Sequence, residues 1–174
     1  MTVRSFDLNI ERVLEHWGIP QALREIIANA LDEQALTQSR EPLIFLDEEG
    51  SWHIRDWGRG LRYEHLTQNE NREKLSNPNL VIGKFGVGLK DALATFDRRR
   101  IAVTIHSRYS QIQIGKERKH GFEDLSTLHA FISDPVDQAM AGTEFVLTGV
   151  KDQDVVAAKN LFLRYSGDEN LEST

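Results

Sequence analysis

Leu43-Ile-Phe-Leu46, Asp47-Glu-Glu-Gly50 and Trp52-His-Ile54-Arg55 follow one another as apolar run, turn-rich break and apolar run, the pattern of a β-hairpin. Upstream, Pro20 opens a helix expected from Gln21 to about Leu36, with Leu23, Ile26, Ile27 and Ala30 facing the core. Before it, Ile10, Val13, Leu14 and Trp17 recur at spacings of three and four and predict an amphipathic helix from Leu8 to Trp17, closed by Gly18. Downstream, Leu61 to Leu80 is polar and Asn-rich, with a short helix expected around Tyr63 to Gln68 and a stop at Pro78, and it reads as a covering loop. Val87 to Phe96 reads as a helix with Leu89, Ala92, Leu93 and Phe96 on one face. Strands are expected at Ile101 to Ile105, Gln111 to Ile114 and Thr143 to Thr148. Thr127 to Ile132 suits helix or strand, and strands on either side favour strand. Asp152 to Tyr165 reads as a closing helix with Asp152 as its N-cap. Hairpins outnumber crossover units, so the expected fold class is α+β: a two-layer sandwich of a mixed, mainly antiparallel sheet with helices on one face.

Composition narrows the classes. A chain of 174 residues, 40% of them hydrophobic, supports one domain with a real core and is too short for two of ordinary size. Zero cysteines exclude a disulfide scaffold and thiolate metal sites and fit a reducing compartment, here the cytoplasm. No apolar run approaches a membrane span, and the first residues lack the apolar region of a signal peptide. A net charge of -6 gives no overall attraction to nucleic acid or to an anionic membrane, and Arg98-Arg99-Arg100 reads as a solvated turn before a strand. The six histidines show no metal-binding spacing, and no G-x-S-x-G elbow is present. The end of the chain, from Gly167 to Thr174, has no clear structural close, so a single domain of a longer protein is expected.

Four segments carry the chemistry. On the helix from Gln21, Glu25, Asn29 and Asp32 stand at offsets of zero, four and seven and share one stripe, bringing two carboxylates and an amide together. Hard oxygen ligands of this kind suit a hydrated Mg2+, and a carboxylate can take a proton from an attacking water. A solvated helix face explains the stripe equally simply. Asp56-Trp-Gly58-Arg-Gly60 places a carboxylate at a strand end, where it can accept a hydrogen bond from an exocyclic amine such as adenine N6, with glycines allowing close approach. In Gly83-Lys84-Phe85-Gly86-Val87-Gly88-Leu89-Lys90 the glycines precede a helix whose free N–H groups attract phosphate, with Lys84 and Lys90 as candidate charges. The order is neither that of a P-loop nor that of the dinucleotide fingerprint. Gly142-Thr143 opens a late strand.

Together these segments resemble the GHKL superfamily, the ATP-binding fold shared by DNA gyrase, the ninety-kilodalton heat-shock chaperones, MutL, MORC ATPases and sensor histidine kinases. The likeness spans about Gln21 to Val150: an N-box at Glu25 to Glu33, glycine boxes at Asp56 to Gly60 and Gly83 to Lys90, and the final Gly142-Thr143. The second glycine box looks chaperone-like and MORC-like, while Asp32-Glu33 is similar to gyrase. The resemblance implies that Glu25 is the general base and Asn29 the Mg2+ ligand. Asp56, supported by Thr143, binds adenine, and the Gly58, Gly60 and Leu61 backbone, with Asp32, completes the pocket. Gly86, Gly88 and Leu89 offer amides to the phosphates, and residues 61–82 form an ATP lid.

The activity this resemblance implies is Mg2+-dependent ATP binding and slow hydrolysis to ADP and phosphate, with lid closure and nucleotide-dependent homodimerisation within a larger machine. Residues 1–19 are expected to supply an N-terminal helix that straps one protomer to its partner. Hydrolysing members of the superfamily add a lysine to the γ-phosphate from a further domain, so a second domain or partner is expected to supply it here. The competing readings are a nucleotide-binding switch that does not hydrolyse and a protein kinase of the same superfamily. Gyrase-like, chaperone-like and MORC-like proteins act on different clients, which leaves nucleic acid open as a partner.

Overall fold

The computed structural model describes residues 3–8, 17–67, 88–118 and 126–162. In chain order these form β1 (Arg4–Asp7), α1 (Ile19–Thr37), β2 (Leu43–Leu46), β3 (Ser51–Arg55), α2 (Glu64–Thr67) and α3 (Leu89–Arg98). β4 (Ala102–Ser107), β5 (Gln111–Arg118), β6 (Ser126–Ser133), β7 (Thr143–Thr148) and α4 (Asp152–Lys159) complete the order. The seven strands make one sheet in the order β1-β6-β5-β4-β7-β3-β2, every neighbouring pair antiparallel. The expected α+β sandwich with a mainly antiparallel sheet is therefore present, and every strand pair described is antiparallel.

Alternation along the strands sets the two faces of the sheet. Ile54, Phe145, Ile105, Ile112 and Ile132 align across β3, β7, β4, β5 and β6, and all five are buried. Trp52, Leu147 and Val103 form a parallel row of buried residues. Their strand neighbours His53, Arg55, Thr104 and His106 are only partly covered. The helices pack on the buried side, α1 against α3, α4 and β3, and α3 against β4 and β5. No helix among the described residues is long and apolar enough to cross a membrane.

The hairpin expected at Leu43–Arg55 forms with Leu43 opposite Arg55 and Leu46 opposite Trp52. Asp47 ties its turn by accepting from the N–H groups of Glu49 and Ser51, both at 2.9 Å, and Gly50 takes φ 88°. Helix α1 begins one residue before Pro20, and the Gly18 N–H is satisfied by Gln21 Oε1 at 2.8 Å. It ends at Gln38, which adopts the left-handed conformation.

Two expectations are corrected, those for residues 4–7 and for the closing helix. Residues 4–7, expected within an N-terminal helical strap, form an edge strand paired along one side to β6, because polar Ser5 and Asp7 in alternation suit the period-two pleat better than a helical repeat. The helix expected from Leu8 to Trp17 lies largely outside the described residues, although Leu8 itself is buried. Helix α4 stops at Lys159, where Asn160 and Leu161 turn the chain, and its N-cap is Lys151 instead of Asp152. Of the expected lid, 61–67 is described and includes the short helix α2, while 68–82 is outside the described residues.

Candidate nucleotide site

Helix α1 is polar where a helix packed on a sheet is usually apolar. Asn29, Asp32 and Glu33 are 6%, 0% and 5% exposed, so the stripe is not a solvated face. Burying two carboxylates and an amide is unfavourable unless each is hydrogen-bonded or ion-paired, and such groups mark sites as often as they serve stability. Glu33 is held by Arg59 from the loop after β3, through Nη2 at 2.6 Å, Nε at 3.1 Å and the backbone N–H at 3.2 Å. This forked pair fastens α1 to the loop after β3.

The glycine positions explain how the segments meet. A Cβ on Gly142, whose φ is 76°, would overlap the carbonyl of Asp56, and a Cβ on Gly88 would overlap the carboxylate of Glu25. The last motif thus closes onto the second, and the third onto the first, at points where only a hydrogen fits. Gly58 also lies close to Glu33, whose Cβ would stand 2.7 Å from a Cβ added there.

Asp56 is buried just beyond β3, and its Oδ1 accepts from the N–H groups of Gly58 at 2.8 Å and Thr143 at 3.3 Å. Its own N–H donates to the Thr143 carbonyl at 3.0 Å. Thr143 Oγ1 accepts from the Leu61 N–H at 2.8 Å, and the Leu61 carbonyl accepts from Ser107 Oγ at 2.8 Å. Three strand ends and the loop after β3 are fixed together by these bonds. Ser107 gave no signal in the sequence, since a serine ending a strand is unremarkable until its partner is known.

Between α1, the start of α3 and the β3–β7 pair lies a small, partly open recess with room for about one water. Its walls are Ile26, Ala30, Ile54, Leu61, Leu89 and Phe145, and its polar groups are Asn29, Asp56 and Thr143. An apolar slot with a few converging polar groups is the usual form of a small-molecule site. Five residues selected from the sequence, Asn29, Asp56, Leu61, Leu89 and Thr143, share this recess. Glu25 stands one turn before Asn29 on α1, partly covered, against Gly88 and with Arg24 Nη1 at 3.2 Å from its Oε1. Lys90 is partly exposed in the first turn of α3, beside Asp91, whose carboxyl burial pushes above the usual range while Lys90 pulls it back.

Asp32, expected among the pocket residues, is wholly buried and does not line the recess. Gly83, Lys84, Phe85, Gly86 and Val87 lie outside the described residues, so of the expected phosphate segment only Gly88, Leu89 and Lys90 are described. Helix α3 starts at Gly88 without a side-chain cap.

Among the described residues no group of three or more acidic or histidine side chains is arranged to hold a metal ion. A cation at this site would take Asn29 as a protein ligand and fill its remaining positions with ligand oxygens and water, which is how Mg2+ is commonly held.

No protein-family model matches the chain. It is 35% identical over 176 aligned residues to a Mycoplasma pneumoniae protein described as an uncharacterized protein, an alignment that covers 99% of this chain and 71% of that one. The chain belongs to that protein's family. The alignment runs across all the described strands and helices and across the recess, so the likeness is not confined to one segment.

Proposed function

We propose that the protein is a Mg2+-dependent, GHKL-type ATP-binding domain that hydrolyses ATP slowly and acts in the cytoplasm. The observation that carries this reading is the convergence of Asn29, Asp56, Leu61, Leu89 and Thr143, from four separated segments, around one recess. A flat heteroaromatic ring suits the apolar walls, and the buried Asp56 carboxylate suits an exocyclic amine. The start of α3 suits phosphate, because no side-chain cap engages its first N–H groups and they sit at the positive end of the helix dipole.

In this reading Glu25 accepts the proton of the attacking water and Asn29 orients the metal-bound phosphates. Mg2+ would neutralise phosphate charge during transfer. The Glu33–Arg59 pair keeps the loop carrying Asp56 in register with α1, so base recognition and hydrolysis are positioned by one helix. A nucleotide-dependent homodimer and a lysine supplied by a further domain or partner complete the proposal.

The test is phosphate release from Mg-ATP against protein concentration, with ATP binding measured in parallel for the wild type and Glu25→Ala. Turnover lost at least a hundredfold in the variant, with binding kept, is the expected result, about the size of a missing general base. A rate rising more than linearly with concentration supports dimerisation. Equal turnover in both proteins removes Glu25 as base, and ATP bound without release from either supports a non-hydrolysing switch.

A further inference from the structure

Two aromatic rings beside the recess are each flanked by two guanidinium groups. Trp57, in the loop after β3, has the Arg40 and Arg55 guanidinium carbons 4.0 and 4.7 Å from its ring centroid. Tyr109, in the turn between β4 and β5, has those of Arg62 and Arg108 at 4.1 and 5.7 Å. The two groups adjoin. A Cβ on Gly60 would stand 3.3 Å from the Gly142 carbonyl and 3.4 Å from the Tyr109 ring, and Gly142 abuts the backbone of Trp57.

None of these four arginines forms an ion pair with a carboxylate among the described residues. That is informative in a chain with 27 acidic and 21 basic residues, where carboxylate partners are plentiful. Arg55 goes further: its Nε is buried with no hydrogen-bond partner, and one Nη donates to the Ala141 carbonyl at 3.4 Å. A guanidinium stacked on a ring is held in place with N–H groups left for a phosphate, and its plane offers a second stacking surface.

We propose that this surface binds single-stranded nucleic acid, the guanidinium groups on phosphates and the rings and guanidinium planes on unstacked bases. The cluster is carried by loops, a turn and a strand end, with no helix or ribbon presented to enter a major groove, which favours a single strand over a duplex. The overall charge of -6 does not oppose this, because the field of a patch acts within roughly one Debye length, about 8 Å in physiological salt.

The test is fluorescence anisotropy of a labelled oligothymidylate of about 16 nucleotides at several salt concentrations. Four phosphate contacts predict a slope of log K against log salt of about -3, from about -0.7 per contact on single strands. The variant R40A/R108A should bind at least tenfold more weakly with a slope of about -1.4, while keeping its circular dichroism and its stabilisation by Mg-ATP. If that variant fails to fold, the single changes Arg62→Ala and Arg108→Ala, at exposed positions, should each reduce the slope by about 0.7. No binding at low salt, unchanged affinity in the variants, or preferential binding to a duplex or to anionic vesicles would each overturn the proposal. Retention of the Mg-ATP response keeps its failure distinct from failure of the nucleotide site.

Discussion

Gly142 is the position where one added methyl group does most harm. Its φ of 76° disfavours any side chain, and its neighbour is the backbone carbonyl of Asp56, which cannot swing aside as a side chain can. Gly142→Ala should cost about 3 kcal/mol or more and lower the melting temperature by roughly 6 to 12 °C, read by thermal denaturation. Gly88→Ala meets only the end of the Glu25 side chain, so it should melt close to wild type while impairing turnover. Arg59→Ala leaves the Glu33 charge buried without its forked partner. Because Arg59 is about one-third exposed, the expected cost is about 2 to 3 kcal/mol, toward the low end for a broken buried pair. Glu33→Gln keeps the shape and should cost less. A denaturant titration of the two variants that ranked them in the opposite order would refute the ion pair as the main tie. These contacts were half legible. The glycines and Asp56 announced a site in the sequence, but Glu33 paired to Arg59, twenty-six positions on, could not be read from helical spacing. Trp57 and Tyr109 between arginines left a trace in Arg55-Asp-Trp57 and Arg108-Tyr109 that charge counting alone passes over.

At the level of the element, the β2–β3 hairpin is fastened to β7 through His53, whose Nε2 lies 2.7 Å from Asp47 Oδ2 and whose Nδ1 lies 3.2 Å from Glu144 Oε2, with the ring stacked on Phe45 at 4.6 Å. The hydrogen bond from His53, with those of the turn N–H groups, holds the Asp47 carboxyl below its usual value of 3.8. A carboxyl whose folded pKa is lowered contributes stability that is present above its unfolded pKa and is lost as pH falls through the folded one. Asp47→Asn should therefore flatten the acid limb of a melting-temperature profile below about pH 4 and change little above it. Burial lowers the folded pKa of His65 and His106, so the unfolded chain takes up their protons first as pH falls below 6.5. Stability should then rise with pH through that window, and replacing both by Gln should remove the slope. The hairpin was readable because its two runs and turn are contiguous. β1 was not, since four residues with one large apolar side chain say nothing about a partner strand far along the chain.

For the whole molecule, a ligand that binds only the folded state stabilises it by mass action. Mg-ATP at about a hundred times its dissociation constant should add about 2.7 kcal/mol and raise the melting temperature by about 5 to 10 °C. Asp56→Asn, which removes the carboxylate from the recess, should lose most of that shift while remaining folded. An undiminished shift would place the adenine elsewhere. The fold class was legible because strand and helix periods are local, whereas the strand order was not, being decided by pairings between distant segments.

That strand order makes β7 a keystone. It is the last of the described strands in the chain, yet it lies between β3 and β4, and without it the β2–β3 hairpin and the β4–β5–β6–β1 group are two separate ribbons. On a ribosome adding about 5 to 20 residues per second, the hairpin would wait several seconds for its partner to emerge. Thr143 arrives at the head of that strand, so the recess is completed only when the sheet is: a nascent chain has no competent pocket until β7 has been synthesised and paired.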